Sequence, residues 1–453
     1  MVRFNMRELM YGLRRSMTSP NRNARTAVVL GRLLGLAFTI CLFTGLYSHF
    51  LQEPASWMHF PTQPVSLYKW TQGVHITAGI ACFPLLFGKL YAVFPQLFQW
   101  PPIKTPVQIL ERASIALFVA ASLVQIFTGL LNTFQYYPWP FPFKQVHYAL
   151  AYVIIGSLAV HIGIKLPIIA RYWRKKDSYD EDGTFLVGES DYVPPSKHRV
   201  AREKLATYVV SKDELEDPAL VIPAEVSAAS VTSRPPKGIV GRIFDWIDRT
   251  PDVDVKTSRR GFFGAIGVTT GAVMALTAGQ SFKPLDRLNV FAPRKLAYGP
   301  NGLPINRTAA AAQVLETAMD PGWQLVVSKG SAIRTFSIAD LMAMPQYEAA
   351  LPIACVEGWS QLAHWKGPRL HDVVGAVGAT DSEQLKITSL EKKGGYRVTL
   401  MGSEYVHDPN TLVALHLNGE RLTIDHGYPA RMIAPGRPGV LQTKWLSHLE
   451  IVT

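Results

Sequence analysis

The sequence predicts a multi-domain chain: an all-α transmembrane bundle of four helices plus a fifth anchor helix, followed by an α+β, β-rich domain. Three observations predict it. Hydrophobic residues fill 48% of 453 positions and mean hydropathy is positive, at +0.10, which places part of the chain in lipid. The apolar residues gather in residues 28–171 and 258–282, whereas residues 283–453 alternate short strand-like runs with turn signals. Basic residues sit at the ends of the apolar stretches, as membrane topology requires.

Four stretches reach the roughly 20 apolar residues that a helix needs to cross a bilayer: 28–50, 74–98, 112–134 and 146–170. The preceding segment, residues 1–27, carries Arg3, Arg7, Arg14, Arg15, Arg22 and Arg25, whereas the loops after the first and third stretches hold only Lys69 and Lys144. The positive-inside rule puts the N-terminus in the cytoplasm, and Arg171, Arg174, Lys175 and Lys176 after the fourth stretch agree. Residues 172–257 mix acids, bases, Pro and Ser with little apolar periodicity and read as a cytoplasmic linker. In residues 258–282, Arg259 and Arg260 precede Phe262 and Phe263 and a weakly apolar run rich in Gly and Ala. That order resembles a twin-arginine export signal, read by the twin-arginine export machinery; an ordinary fifth helix is the alternative. Both readings put residues 283–453 on the external, periplasmic-side face, and no convincing cleavage site follows, so the span stays as an anchor. The formal charge of +12 is explained by the ends of membrane spans against lipid headgroups. Without a basic patch interleaved with aromatics, no nucleic-acid partner is expected.

Ionisable residues within a span point to function. His147 and His161 lie fourteen residues apart on the fourth stretch, about 21 Å along the axis and close to four turns, so they share a face. His75 lies near the start of the second stretch, which runs parallel to the fourth, at the depth of His147. Two imidazoles from two helices of a bundle are the ligand set of a bis-histidine b-type haem. The region resembles membrane b-type cytochromes of the b561 and formate dehydrogenase gamma-subunit type, which commonly hold two haems. One haem on His75 and His147 is expected here. The sequence departs from the family pattern at the other haem: no histidine stands near the inner end of the first stretch, and Lys89 lies at the depth of His161. A second haem on His161 is the alternative, with His49 and His59 as further candidates for a ligand or a propionate contact.

The chain has three cysteines, two of them (Cys41 and Cys82) within apolar stretches, so neither a disulfide framework nor a CxxC metal site is available. Cys355 ends an apolar run and precedes a polar loop with Glu357, Gly358 and Ser360, where a thiolate can face a ligand. Downstream, His426, Arg431, Arg437 and Lys444 gather among glycines and prolines, a composition suited to an anionic cofactor. The motifs "IACVEGWS", "WKGPRLHDVV", "GGYRVTL", "LNGERLTIDHGYPARMIAP" and "KWLSHLEI" together resemble the molybdopterin-binding domain of the sulfite oxidase family. The resemblance implies that Cys355 is the single protein ligand of molybdenum, beside the two sulfurs of one pterin dithiolene, a soft donor set that suits the metal. It further implies cofactor contacts from Asn306 and Arg307, from His364 or His371 with Arg369, and from Arg431 and Lys444. By that resemblance the domain is expected to be short beside full sulfite oxidases, without their dimerisation domain.

The resemblances imply a membrane-bound molybdopterin-dependent oxidoreductase that joins oxygen-atom transfer at molybdenum, through haem b, to the quinone and quinol of the membrane. By analogy with the two-protein periplasmic methionine sulfoxide reductase system, the expected direction is reduction of a sulfoxide-type oxygen-atom donor. The alternatives are oxidation of sulfite or another small oxyanion, as oxygen-atom acceptor, with electrons passing to quinone; a haem-only transmembrane electron carrier such as a ferric reductase; and a structural or sensory membrane protein.

Overall fold

The computed structural model describes residues 21–22, 24–55, 57–98, 102–103, 105–174, 259–380 and 383–452, with a few residues before position 21. The linker and most of the N-terminal arginines lie outside the described residues, as do the side chains of Arg259 and Arg260. Five long helices open the fold: α1 (Ala24–Gln52), α2 (Leu67–Val93), α3 (Pro106–Thr133), α4 (Phe143–Arg174) and α5 (Arg259–Ala278). Among the described residues these five are long and apolar enough to cross a membrane, and the chain is a multi-pass membrane protein. Each of the first four begins earlier than its apolar stretch does, because flanking polar residues continue the helix. In α2 the sequence expectation ran to residue 98. The α-helix ends at Val93 and residues 94–98 tighten into a 3-10 turn around Pro95, which has no N–H to continue the ladder.

Contacts group residues 1–34, 84–119 and 155–267 into one compact unit, and residues 35–83, 120–154 and 268–453 into a second. The second unit contains the β-rich domain. Its larger sheet has the order β2-β1-β11-β5-β6, built from β1 (Leu325–Lys329), β2 (Ala332–Phe336), β5 (Gln384–Ser389), β6 (Val398–Met401) and β11 (Leu446–Val452). β1 and β11 are parallel, the other pairs antiparallel. A four-stranded antiparallel sheet, β3-β4-β8-β9, joins β3 (Tyr347–Ala354), β4 (Ser360–Gly367), β8 (His416–Leu417) and β9 (Glu420–Arg421), and β7 (Leu412–Ala414) pairs with β10 (Arg431–Ile433).

The runs "WQLVVS", "LKITSL" and "YRVTLM" form β1, β5 and β6, and "SIADLMAMP" and "RLHDVVGAVG" hold the short helices α6 (Ile338–Ala343) and α7 (Leu370–Gly375). α6 begins where it does because Ser337 and Asp340 form a reciprocal capping box, which satisfies backbone N–H groups that the helix itself leaves without partners. Leu325, Val327, Leu385, Ile387 and Leu449 of the large sheet pack with Val373 and Val374 of α7 in one core. Leu351, Ile353, Ala363 and Trp365 of β3 and β4 form a second, which reaches Cys355 and Trp359.

Candidate functional site

β3 and β4 form a hairpin whose last paired residues are Ala354 and Ser360. Between them lies the turn that holds Cys355. The Cys355 N–H donates to the Trp359 carbonyl at 2.9 Å, and the Gly358 N–H donates back to the Cys355 carbonyl at 3.0 Å. Gly358 adopts φ of 105°, a region that costs other residues strain and glycine little. The turn presents Cys355, 1% exposed, to an enclosed cavity that it shares with Asn306, Trp359, His426, Arg431 and Gly439.

Burial dominates the electrostatics of this cavity. It pushes the Cys355 thiol well above its ordinary range, with the Glu357 charge adding to the rise. Burial lowers the Arg431 guanidinium to about 9 and the Lys444 ammonium to about 7. Arg431 donates through one terminal nitrogen to the His426 carbonyl at 3.2 Å and lies over the Trp365 ring, while its Nε has no partner. Lys444 Nζ donates to the carbonyls of Arg307 and Asp425, each at 2.8 Å. Burial also drops His426 to about 4, so the ring is neutral at pH 7 and its Nε2 lies within hydrogen-bond reach of the Pro300 and Leu303 carbonyls. Arg307 pairs with Glu391 at 3.3 Å, and its N–H donates to Asn306 Oδ1 at 2.9 Å.

Of the sequence-predicted residues, the structure brings Cys355, Asn306 and Arg431 into one cavity, with Lys444 and Arg307 joined just behind it. His364, His371 and Arg369 lie apart from that cavity. His364 points outward from β4 on the face opposite Trp365, exposed His371 meets His407, and Arg369 covers the Tyr347 ring. Trp359 and Glu357 gain importance that the sequence reading did not assign. The Glu357 carboxylate, 1% exposed, accepts from Trp359 Nε1 at 3.2 Å, Arg294 Nε at 3.4 Å and Gln135 Nε2, and burial raises it to about 7.

The same turn packs on helix ends within the second unit. Gln72 of α2 donates to the Val356 carbonyl at 3.1 Å. Ser281, just past α5, donates to the Gly358 carbonyl, and the Ser360 N–H donates to the Gln280 carbonyl at 2.8 Å. A Cβ at Gly358 would stand 3.1 Å from Ile76 Cγ1 and 2.8 Å from Gln280 Nε2, so the close approach of turn and helices also needs glycine there. Beside Ile76, His75 faces His147 with ring centroids 6.4 Å apart. His75 Nδ1 is held by the Cys41 carbonyl at 3.1 Å and Thr44 Oγ1 at 3.0 Å, whereas His147 Nδ1 has no partner.

In the first unit His161 is the only histidine among the described residues, and its Nδ1 also has no partner. Glu111 pairs with Lys165 at 2.6 Å, and Lys89 packs against Gly31, where a Cβ would lie 2.9 Å from its Nζ.

Both arrangements fit prosthetic groups. An iron between two imidazoles, at metal–nitrogen bonds of roughly 2.0 Å, puts the ring centres roughly 6 Å apart, and Gly45 and Gly129 bring no side chain against the rings of His75 and His147. No three His, Cys, Asp or Glu side chains cluster among the described residues, and Cys355 is the one thiol in the lining of its cavity. Buried Arg431 and Lys444 suit the anionic part of such a group.

Comparison with known proteins agrees with both halves. Residues 312–453 match the family described as oxidoreductase molybdopterin binding domain, and residues 26–178 match prokaryotic cytochrome b561. The chain thus joins a molybdopterin oxidoreductase domain of sulfite oxidase type to a b561-type cytochrome module, with molybdopterin carrying molybdenum, and haem b, as the cofactors of the two. It is 32% identical over 115 residues to the uncharacterized oxidoreductase YuiH of Bacillus subtilis, covering 25% of this chain and 57% of that protein. To the sulfite oxidase of Arabidopsis thaliana it is 27% identical, covering 26% of this chain and 39% of that protein. The chain therefore spans about half the length of these curated relatives, or less. A solved structure, the sulfane dehydrogenase SoxCD from Paracoccus pantotrophus, aligns over 29% of this chain and 38% of that one at 22% identity with a TM-score of 0.27.

Proposed function

We propose that this chain oxidises membrane quinol and uses the electrons to reduce a sulfoxide-type substrate at the molybdopterin domain. Quinol gives quinone, two protons and two electrons; the sulfoxide, two protons and two electrons give the sulfide and water. His75 and His147 hold the haem b that relays the electrons one at a time, and Cys355 ligates the molybdenum, which supplies two-electron oxygen-atom transfer when bound. Asn306, Arg307, Arg431 and Lys444 bind the cofactor. The N-terminus lies in the cytoplasm and residues 283–453 on the external face, reached through the twin-arginine export machinery. The observation that carries this reading is the packing of the Cys355 turn on α2 through Gln72 and Ile76, next to His75.

A second reading reverses the flow: sulfite and water give sulfate, two protons and two electrons, which pass to quinone. The buried Arg431, with its Nε unpartnered beside Cys355, favours an anionic substrate, although cofactor phosphate would use the same group.

Steady-state turnover of the full chain in lipid vesicles separates the two. Oxidation of quinol on adding methionine sulfoxide is expected, and reduction of quinone on adding sulfite selects the second reading. The Cys355→Ala variant should keep the haem spectrum and lose turnover. Retained turnover in that variant overturns ligation through Cys355.

A further inference from the structure

Gln72 sits three residues before His75 on α2, a spacing that puts both side chains on one side of the helix. It is 6% exposed, and its Oε1 has no hydrogen-bond partner. A buried amide with only one end satisfied is costly, yet the satisfied end is the one that reaches the Val356 carbonyl at 3.1 Å, a single peptide unit from Cys355. Other contacts tie the same domain to helix ends without leading to a haem histidine. The Tyr396 hydroxyl, for example, donates to Gln52 Oε1 at 2.7 Å at the end of α1.

We infer that Gln72 is the positioning residue through which electrons cross between the haem held at His75 and the cofactor held at Cys355. The inference rests on the function proposed above and adds a route to it. From the His75 ring the path runs along the α2 backbone to Gln72, out along its side chain, across one hydrogen bond to the Val356 carbonyl, and through the peptide to Cys355. No gap on it is longer than that hydrogen bond. Each crossing takes one electron from ferrous haem, leaving it ferric, and adds it to the molybdenum centre; no bond is made or broken. Two crossings would supply the two electrons that, with two protons, release one substrate oxygen as water.

The test uses the full chain in detergent with its haem reduced beforehand, mixed anaerobically with methionine sulfoxide while haem absorbance is followed. Gln72→Met keeps side-chain length and removes the donor. Its haem reoxidation should slow by roughly ten- to a hundredfold, the scale on which a misplacement of about 1 Å changes a reaction step. Its haem spectrum, its molybdenum content and its turnover with reduced viologen, which feeds the molybdenum site directly, should stay those of the unmodified chain. Gln52→Met, which removes the Tyr396 contact, should reoxidise its haem at the unmodified rate. Should Gln72→Met lose either cofactor, Gln72→Asn opens the same gap with the amide retained and is expected to be slow.

Unchanged haem reoxidation in a loaded Gln72 variant overturns the inference, and so does equal slowing in Gln52→Met, which would mark both as docking contacts. An unmodified chain, loaded with both cofactors, whose haem does not reoxidise at all fails the proposed function itself, and the inference with it.

Discussion

Replacing Arg431 with Met should stabilise the cofactor-free domain while preventing cofactor retention. The guanidinium is 2% exposed, and burial lowers it from 12.5 to about 9. At about 1.36 kcal/mol per unit, that difference means the charge costs the folded state about 5 kcal/mol at neutral pH when no anion accompanies it. The sign follows from linkage: a cation depressed in the folded state penalises folding throughout the range below the folded value, and the penalty fades only as pH rises toward 12.5. Losing the hydrogen bond to the His426 carbonyl returns about 1.5–3 kcal/mol of that. A net gain of about 2–3.5 kcal/mol corresponds to a Tm rise of roughly 4–14 °C for a domain of this size. The assay is thermal unfolding of the full detergent-solubilised chain, purified from cells unable to make molybdopterin, with Arg431→Met beside the unmodified protein. From cells that make the cofactor, the variant should retain haem and little molybdenum. A lower Tm for the cofactor-free variant would refute the reasoning, because Arg431 would then be contributing to the fold rather than waiting for an anion.

His75→Ala and His147→Ala should each abolish the reduced b-type absorbance; an unchanged spectrum from either removes the paired-ring assignment. Burial depresses Lys444 to about 7 from 10.5, so the folded domain binds fewer protons than the unfolded chain between those values. Cofactor-free stability should therefore rise with pH from about 7 to 10.5, and Lys444→Met should flatten that rise in thermal unfolding measured across the range; a slope unchanged by the substitution counts against it. Gly358→Ala adds a Cβ against Ile76 and Gln280 at a positive φ, and should lower the Tm of the domain by roughly 2–8 °C, since backbone strain of this kind costs about 1–2 kcal/mol.

The membrane half was legible because lipid forces a simple code. Long apolar runs announce helices and arginines mark their ends; the rings of His75 and His147, expected at one depth on α2 and α4, lie with centroids 6.4 Å apart. In the β-rich half the strands β1, β5 and β6 and the short helices α6 and α7 fall on local runs whose residue pattern suits them. Alternation also carries the signal that His364 lies on the opposite face of β4 from Trp365. What local patterns did not carry was long-range assembly. Gln72 and Val356 are 284 residues apart, and nothing near either position marks the contact. The same holds for Lys444, whose ammonium is fixed by the carbonyls of Arg307 and Asp425, backbone groups that every residue possesses.

The central claim, that haem and molybdenum site form one electron path, is tested most directly by single-turnover haem absorbance of the purified full chain. Reduced with quinol and mixed anaerobically with methionine sulfoxide, the chain should return to ferric haem with one sulfide formed per two electrons, while Cys355→Ala stays reduced. A chain fully loaded with both cofactors whose haem remains ferrous, or a Cys355→Ala variant that reoxidises as fast as the unmodified protein, would contradict it.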